Sequence, residues 1–130
     1  MIVLDASAAL DLLLGTVIGE SVRGRVLRRG ERLCAPHLID IEVAHVLRRY
    51  ERAGEIDSRR AQSALADLAD MPIARYPHAP LLQRIWQLRA NLTGYDAAYV
   101  ALAEILDVPL LTCDAKLAAS PGHRARVELI

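Results

Sequence analysis

Apolar residues in this chain fall in short uninterrupted runs that alternate with longer stretches in which they recur every three or four positions. Short runs bounded by turn residues suit buried strands, and the three-to-four spacing suits amphipathic helices. IVLD at 2–5 predicts a first strand. A helix is expected over about Ser7–Leu14, where Ser7 can cap the first amides and Gly15 can end it. A second helix runs from about Gly19 to Arg29, with Val22, Val26 and Leu27 marking an apolar stripe and Gly30 stopping it. RLCAP at 32–36 reads as a second strand, and Pro36 then opens a long helix to about Ala53. Its apolar positions Ile39, Val43, Val46 and Leu47 keep the helical spacing. Gly54 breaks it, and Asp57 or Ser58 caps another helix through Ala61, Leu65 and Leu68.

MPIARYP at 71–77 predicts a third strand between two prolines, followed by a helix over about Ala79–Arg89 carrying Leu82, Ile85, Trp86 and Leu88. GYDAAYVALAEILDVP at 94–109 is a helix with a proline stop, and PLLTCD at 109–114 a fourth strand. A short helix over Ala115–Ala119 and a final strand, VELI at 127–130, complete the chain. Strands alternating with helices predict an α/β fold, three αβα layers around a central parallel sheet of about four to five strands. No repeat, low-complexity tract or linker interrupts residues 1–130, which read as one domain; a chain of this length suits one core.

Composition narrows the function classes. At 53% hydrophobic and 25% charged, the chain has material for a core and is not intrinsically disordered. Sixteen basic residues balance sixteen acidic ones, so a wholly basic nucleic-acid coat is excluded, though a local patch is not. Lys116 is the single lysine; arginine supplies the rest of the positive charge, and its fork suits phosphate. Arg23, Arg25, Arg28 and Arg29 form one cluster, and Arg48, Arg49 and Arg52 another. Cys34 and Cys113 make neither a CxxC motif nor a disulfide framework and read as small buried hydrophobes. The first strand begins without a basic leader or cleavage site, and no stretch is long and apolar enough to span a membrane. A soluble, cytoplasmic chain is expected.

The candidate chemistry lies in acids at sheet edges. In open α/β sheets, sites form beyond the carboxyl ends of the strands. Asp5 ends the first predicted strand and Asp114 the fourth, each after an apolar run in which an acid costs desolvation unless something compensates. Asp96 falls in the first turn of the helix before the fourth strand, where exposed amides favour negative charge. On the helix after Pro36, Asp40 and Glu42 point about 200° apart, so only one can share the apolar flank. Glu42 does so, beside Val46, and Asp40 reads as a solvent-facing or capping residue. Crowded carboxylates invite a divalent cation, and oxygen ligands select Mg2+ or Mn2+ over zinc. His37, His45, His78 and His123 show no metal-ligand spacing and read as surface or core-edge residues.

IVLDASAAL at 2–10, the Glu42 helix, GYDAAYVALAE at 94–104 and LLTCD at 110–114 together resemble the PIN-domain family, in particular its VapC-type toxins, over essentially the whole chain. The resemblance implies a PIN-like fold and a metal-dependent endoribonuclease, the toxin of a toxin–antitoxin pair, with Asp5, Glu42, Asp96 and Asp114 as catalytic and metal-binding residues. It implies Mg2+ or Mn2+ as cofactor and a metal-activated water that leaves a 5′-phosphate and a 3′-hydroxyl. RNA is then the substrate, and a homodimer and a cognate antitoxin are the expected assemblies. Ser7 and Thr112 stand where the family often places a hydroxyl near the metal or its waters; as a helix cap and a strand-end hydroxyl they also have purely structural readings. Tyr95 and Tyr99 flank Asp96 and offer rings to bases, with core packing the better reading for Tyr99.

Three other readings compete. A phospho-receiver domain has similar size and alternation, and Thr112 with Lys116 matches its hydroxyl and lysine. It needs an acid pair ending the first strand, where DAS stands, and an acid ending a middle strand, where ARYP at 74–77 has none. A haloacid-dehalogenase-like phosphatase needs a second Asp where Ser7 stands. A catalytically weak RNA- or protein-binding module of the PIN type is the remaining alternative, since the presence of four acids does not measure turnover.

Overall fold

The computed structural model describes residues 1–28 and 30–130; Arg29, counted above in the first arginine cluster, lies outside the described residues. The chain runs β1 (Ile2–Leu4), α1 (Ala6–Leu14), α2 (Val17–Arg28), β2 (Leu33–Pro36), α3 (Leu38–Arg52), α4 (Ser58–Asp70) and β3 (Ile73–Tyr76). A 3-10 turn at Ala79–Leu81 leads into α5 (Leu82–Gln87), followed by α6 (Gly94–Leu106), β4 (Leu110–Thr112), α7 (Ala115–Ala119) and β5 (Val127–Leu129). All strands are parallel, in the order β3-β2-β1-β4-β5. β1, β2 and β4 are buried along their whole length, as parallel strands covered on both faces must be.

From β1 the chain winds outward through β2 to β3, then crosses back past β1 to β4 and β5. Right-handed crossovers send helices of opposite winding directions to opposite faces. The contacts agree: α1, α2, α3 and α4 pack on one another, while α5 packs on α6, which lies against β1 and β2. The expected three-layer αβα architecture is the one observed. The order also disposes of the receiver reading, because receiver domains follow 2-1-3-4-5.

Several local expectations are corrected. Asp5, not Ser7, caps α1, accepting from the Ala8 amide at 2.9 Å, because the helix begins at Ala6. α2 starts two residues before Gly19, since Thr16 Oγ1 accepts the Gly19 amide at 2.9 Å. Gly19 is needed there: a Cβ would stand 2.0 Å from the Asp11 carbonyl oxygen of α1. Pro36 ends β2 instead of opening α3. Leu27 is exposed, one step around α2 from the buried stripe, and Leu65, Leu82 and Trp86 are exposed as well. Cys34 is buried as expected, whereas Cys113 is only partly so. Asp40 neither caps nor simply faces solvent; both its oxygens hold the Arg75 guanidinium, with Nε at 2.8 Å from Oδ2 and Nη2 at 2.9 Å from Oδ1.

Candidate acidic active site

The winding direction reverses between β1 and β4, and at such a switch point the loops after the two strands part to leave a crevice. Asp5 follows β1 and Asp114 follows β4, so the two strand-end acids flank that crevice. Both also cap the helices that begin there. Asp114 Oδ1 accepts from the Lys116 amide at 2.8 Å and the Leu117 amide at 3.4 Å. Capping explains how acids are tolerated at the ends of buried strands: orphan helix amides solvate them.

Asp5 is only 5% exposed, and hydrogen bonds enclose it. Ser7 Oγ donates to its Oδ1 at 2.7 Å, and Thr112 Oγ1 donates to its Oδ2 at 2.7 Å. The two hydroxyls in turn accept the Cys113 amide at 3.0 Å and the Asp114 amide at 2.9 Å. Ser7 and Thr112 therefore orient Asp5 and tie the β4 loop to α1. Burial pushes the Asp5 carboxyl above its ordinary pKa; the Ala8 amide and the two hydroxyls pull it back, and the Asp114 charge adds to the rise.

Glu42 reaches the crevice from α3 and Asp96 from the first turn of α6, whose cap is Thr93. Tyr99, buried in the core one turn beyond Asp96, donates its hydroxyl to Glu42 Oε2 at 3.4 Å. Glu42 Oε1 is buried and has no hydrogen-bond partner among the described residues. Burial, with the charges of Asp96 and Asp5, lifts Glu42 to about 7. Asp96 is raised by burial and by Asp114. Tyr95 is exposed beside Asp96.

Asp5, Glu42, Asp96 and Asp114 thus come from four separate elements to line one cavity of about 330 Å3, with Ser7 in its wall. Their donor set is carboxylate oxygen alone, and the orphaned Glu42 Oε1 and the raised carboxyls of Asp5, Glu42 and Asp96 fit a hard divalent cation. Among the described residues no three His, Cys, Asp or Glu side chains already stand close enough to clasp an ion; the acids ring the cavity. Asp11, Thr16, Arg49 and Tyr50 also line it. Of these, Arg49 had a readable signal: it is seven residues after Glu42, two turns along the same helix face.

A carboxyl raised in the fold stabilises it below its unfolded pKa, and that contribution is lost as pH rises through the folded value. For Glu42 the window runs from 4.5 to about 7. Between about pH 5 and pH 8 the metal-free chain should therefore lose roughly 2 kcal/mol from this group. Urea unfolding of the chain and of Glu42→Gln at both pH values checks it; the variant should show a shallower loss.

A profile of the PIN domain matches residues 2–122, and the chain belongs to the PIN-domain family. Its relatives within that family are ribonucleases. It is 46% identical to Ribonuclease VapC1 of Mycobacterium tuberculosis over 129 residues, 98% of this chain and 96% of that one. It is 45% identical to Ribonuclease VapC12 of the same organism over 130 residues, 100% of this chain and 99% of that one. Among solved structures, VapBC2 from Rickettsia felis, bound to a DNA fragment of its promoter, shares the fold with a TM-score of 0.71. That match is 13% identical and covers 99% of this chain and 98% of the other.

Proposed function

We propose that this chain is a Mg2+- or Mn2+-dependent endoribonuclease, the toxin of a toxin–antitoxin pair, with Asp5, Glu42, Asp96 and Asp114 as its catalytic, metal-holding acids. The observation that carries the reading is the gathering of these acids, from four elements, at the switch point of the sheet. Near-full-length identity to VapC ribonucleases supports the same reaction.

Asp5, Glu42, Asp96 and Asp114 would hold a divalent cation, which when bound would neutralise charge at a phosphate and acidify a water. The protein's share is orientation and proton control. Ser7, Thr112 and the Ala8 amide fix Asp5 in one rotamer, so its anionic oxygens are preorganised. Glu42, poised near neutrality, can hold or release a proton at its free Oε1. Incubating total bacterial RNA with the chain and Mg2+ or Mn2+, with and without EDTA, tests the reading. Metal-dependent internal cleavage is expected; intact RNA in every arm, or cleavage indifferent to EDTA, overturns it.

The assembly expected is a homodimer that an antitoxin clamps with an amphipathic segment and a basic side chain near the acids. Exposed Leu82 and Trp86, one turn apart on α5, support it, since a small chain seldom leaves such residues bare without a partner. Light scattering at micromolar concentration should give twice the chain mass; a strict monomer counts against the dimer. Among the described residues no helix is long and apolar enough to cross a membrane.

A further inference from the structure

An acidic cavity repels the polyanion it is meant to cut, so something at its wall must hold the RNA chain. Of the described residues that line it, five are acids, Asp5, Asp11, Glu42, Asp96 and Asp114, and one is a cation, Arg49. Three of the arginines elsewhere are committed to acidic partners. Arg25 is buried between Glu31 and Glu128, Arg75 is forked onto Asp40, and Arg84 onto Glu104. Arg49 faces the acids and yet forms no ion pair with any described residue. Its guanidinium rests over the Tyr50 ring instead, 5.6 Å from the centroid. A cation–π contact leaves the donor edge of the fork unspent.

Position adds a second argument. Glu42, Val46 and Arg49 follow one another at four and three residues along α3 and all line the cavity. Arg49 is therefore fixed by the same rigid helix that carries Glu42, about two turns, or roughly 10 Å, along its axis. Phosphates along one strand of a duplex are about 3.4 Å apart, so a strand running along α3 from the acids offers a phosphate to Arg49 within about three nucleotides. A phosphate at the acids would thus bring a nearby one of the same strand toward Arg49.

We infer that Arg49, seated on Tyr50, is the phosphate-positioning residue of this site: its fork binds an RNA phosphate a few nucleotides from the one being cut. The inference rests on the ribonuclease reading above and adds to it the residue that holds the substrate in register. Contacts to phosphate position a strand without reading its sequence, so Arg49 should act on every RNA alike.

The test separates binding from chemistry. RNA binding is measured by fluorescence anisotropy with a short labelled single-stranded RNA, in Mg2+, on an Asp96→Asn background that slows cleavage. Arg49→Ala should weaken binding about tenfold, the order expected for loss of one charge-assisted contact. Its log–log salt dependence should also flatten by about 0.7, one phosphate contact on a single strand. Arg49→Lys should restore the salt slope but only part of the affinity, because it keeps the charge and loses the fork. Arg23→Ala, which removes an exposed cation on α2 paired with Glu20, should change neither.

In cleavage assays with all four acids intact, Arg49→Ala should raise KM with kcat nearly unchanged. Melting curves accompany each variant, and Arg49→Gln repeats the test with the side-chain length retained. Unchanged affinity and salt slope in both neutral variants would overturn the assignment, as would a fall in kcat with KM unchanged. If the unsubstituted chain neither binds nor cuts RNA in Mg2+ or Mn2+, it is the ribonuclease reading that fails; if it cuts and Arg49→Ala matches it, only the role of Arg49 does.

Discussion

Replacing Asp5 by asparagine should lower RNA cleavage by at least about a hundredfold while leaving the fold intact. The two halves of that expectation come from the same hydrogen bonds. The asparagine carbonyl can still accept from Ser7 Oγ and the Ala8 amide, so α1 keeps its cap. Its amide faces Thr112 Oγ1, an oxygen with lone pairs enough to accept both it and the Asp114 amide. What disappears is the negative charge, and with it a hard ligand for the cation. Asp40→Asn is the control. Asp40 lies on the same helix as Glu42, but its carboxylate holds Arg75, which in turn reaches the Leu68 and Ile73 carbonyls, away from the acidic cavity. That substitution should cost at most about 1 kcal/mol of stability, from a half-exposed ion pair, and leave cleavage near its original rate. Gel assays of RNA cleavage with parallel circular dichroism melts distinguish the outcomes. Equal losses for the two variants, or full activity in Asp5→Asn, would remove Asp5 from the site.

The contrast between Asp5 and Asp40 shows what the sequence makes legible. An acid that ends an apolar run is visible in one dimension, because desolvation makes it conspicuous, and both Asp5 and Asp114 stand out that way. Choosing Glu42 over Asp40 needed only the angular spacing of a helix, and the structure puts Glu42 at the cavity and Asp40 outside it. Partners far apart in the chain were not legible. Arg75 stands 35 positions from Asp40, and only the pairing of β2 with β3 brings them together. The strand order had the same obstacle, since sequence alternation predicts a parallel sheet without saying which strands adjoin.

Smaller misreadings have local causes. Ser7 and Asp5 are both good caps, and a shift of one or two residues in the helix start decides between them; the structure gives the cap to Asp5 and turns Ser7 back onto it. Asp11 carries no motif or spacing in the sequence that would single it out. The tight turn into α2, possible only because Gly19 lacks a Cβ, brings it to the cavity rim, where it accepts from Thr16 Oγ1 at 2.7 Å. Arg49 reads in the sequence as a member of a charge run. Its difference from Arg48 and Arg52 is one of helix face, and counting seven residues from Glu42 would have drawn it out.

Mn2+ should stabilise the chain against heat, and Asp96→Asn should largely abolish that gain while leaving the metal-free protein as stable or more so. Without a cation, Asp96 is held against its preference: burial and the nearby Asp114 charge both raise its pKa. Neutralising it relieves that repulsion. The amide does forfeit a favourable interaction with the start of α6, worth up to about 1 kcal/mol, which offsets part of the relief. The cap itself is untouched, because Thr93 Oγ1 accepts from the Asp96 backbone amide and not from its side chain. With metal the sign reverses. A cation at about a hundred times its dissociation constant stabilises the folded chain by roughly 2.7 kcal/mol, and a site missing one anionic ligand binds too weakly to draw on that linkage. Protons compete for the same oxygens. Because Glu42 titrates near 7, the stabilisation by Mn2+ should strengthen as pH rises from about 6 to about 8, opposite to the trend of the metal-free chain. Thermal melts of the chain and of Asp96→Asn across a Mn2+ titration at those two pH values decide the matter. Curves that ignore the metal at both would mean that the four carboxylates share a cavity without sharing an ion.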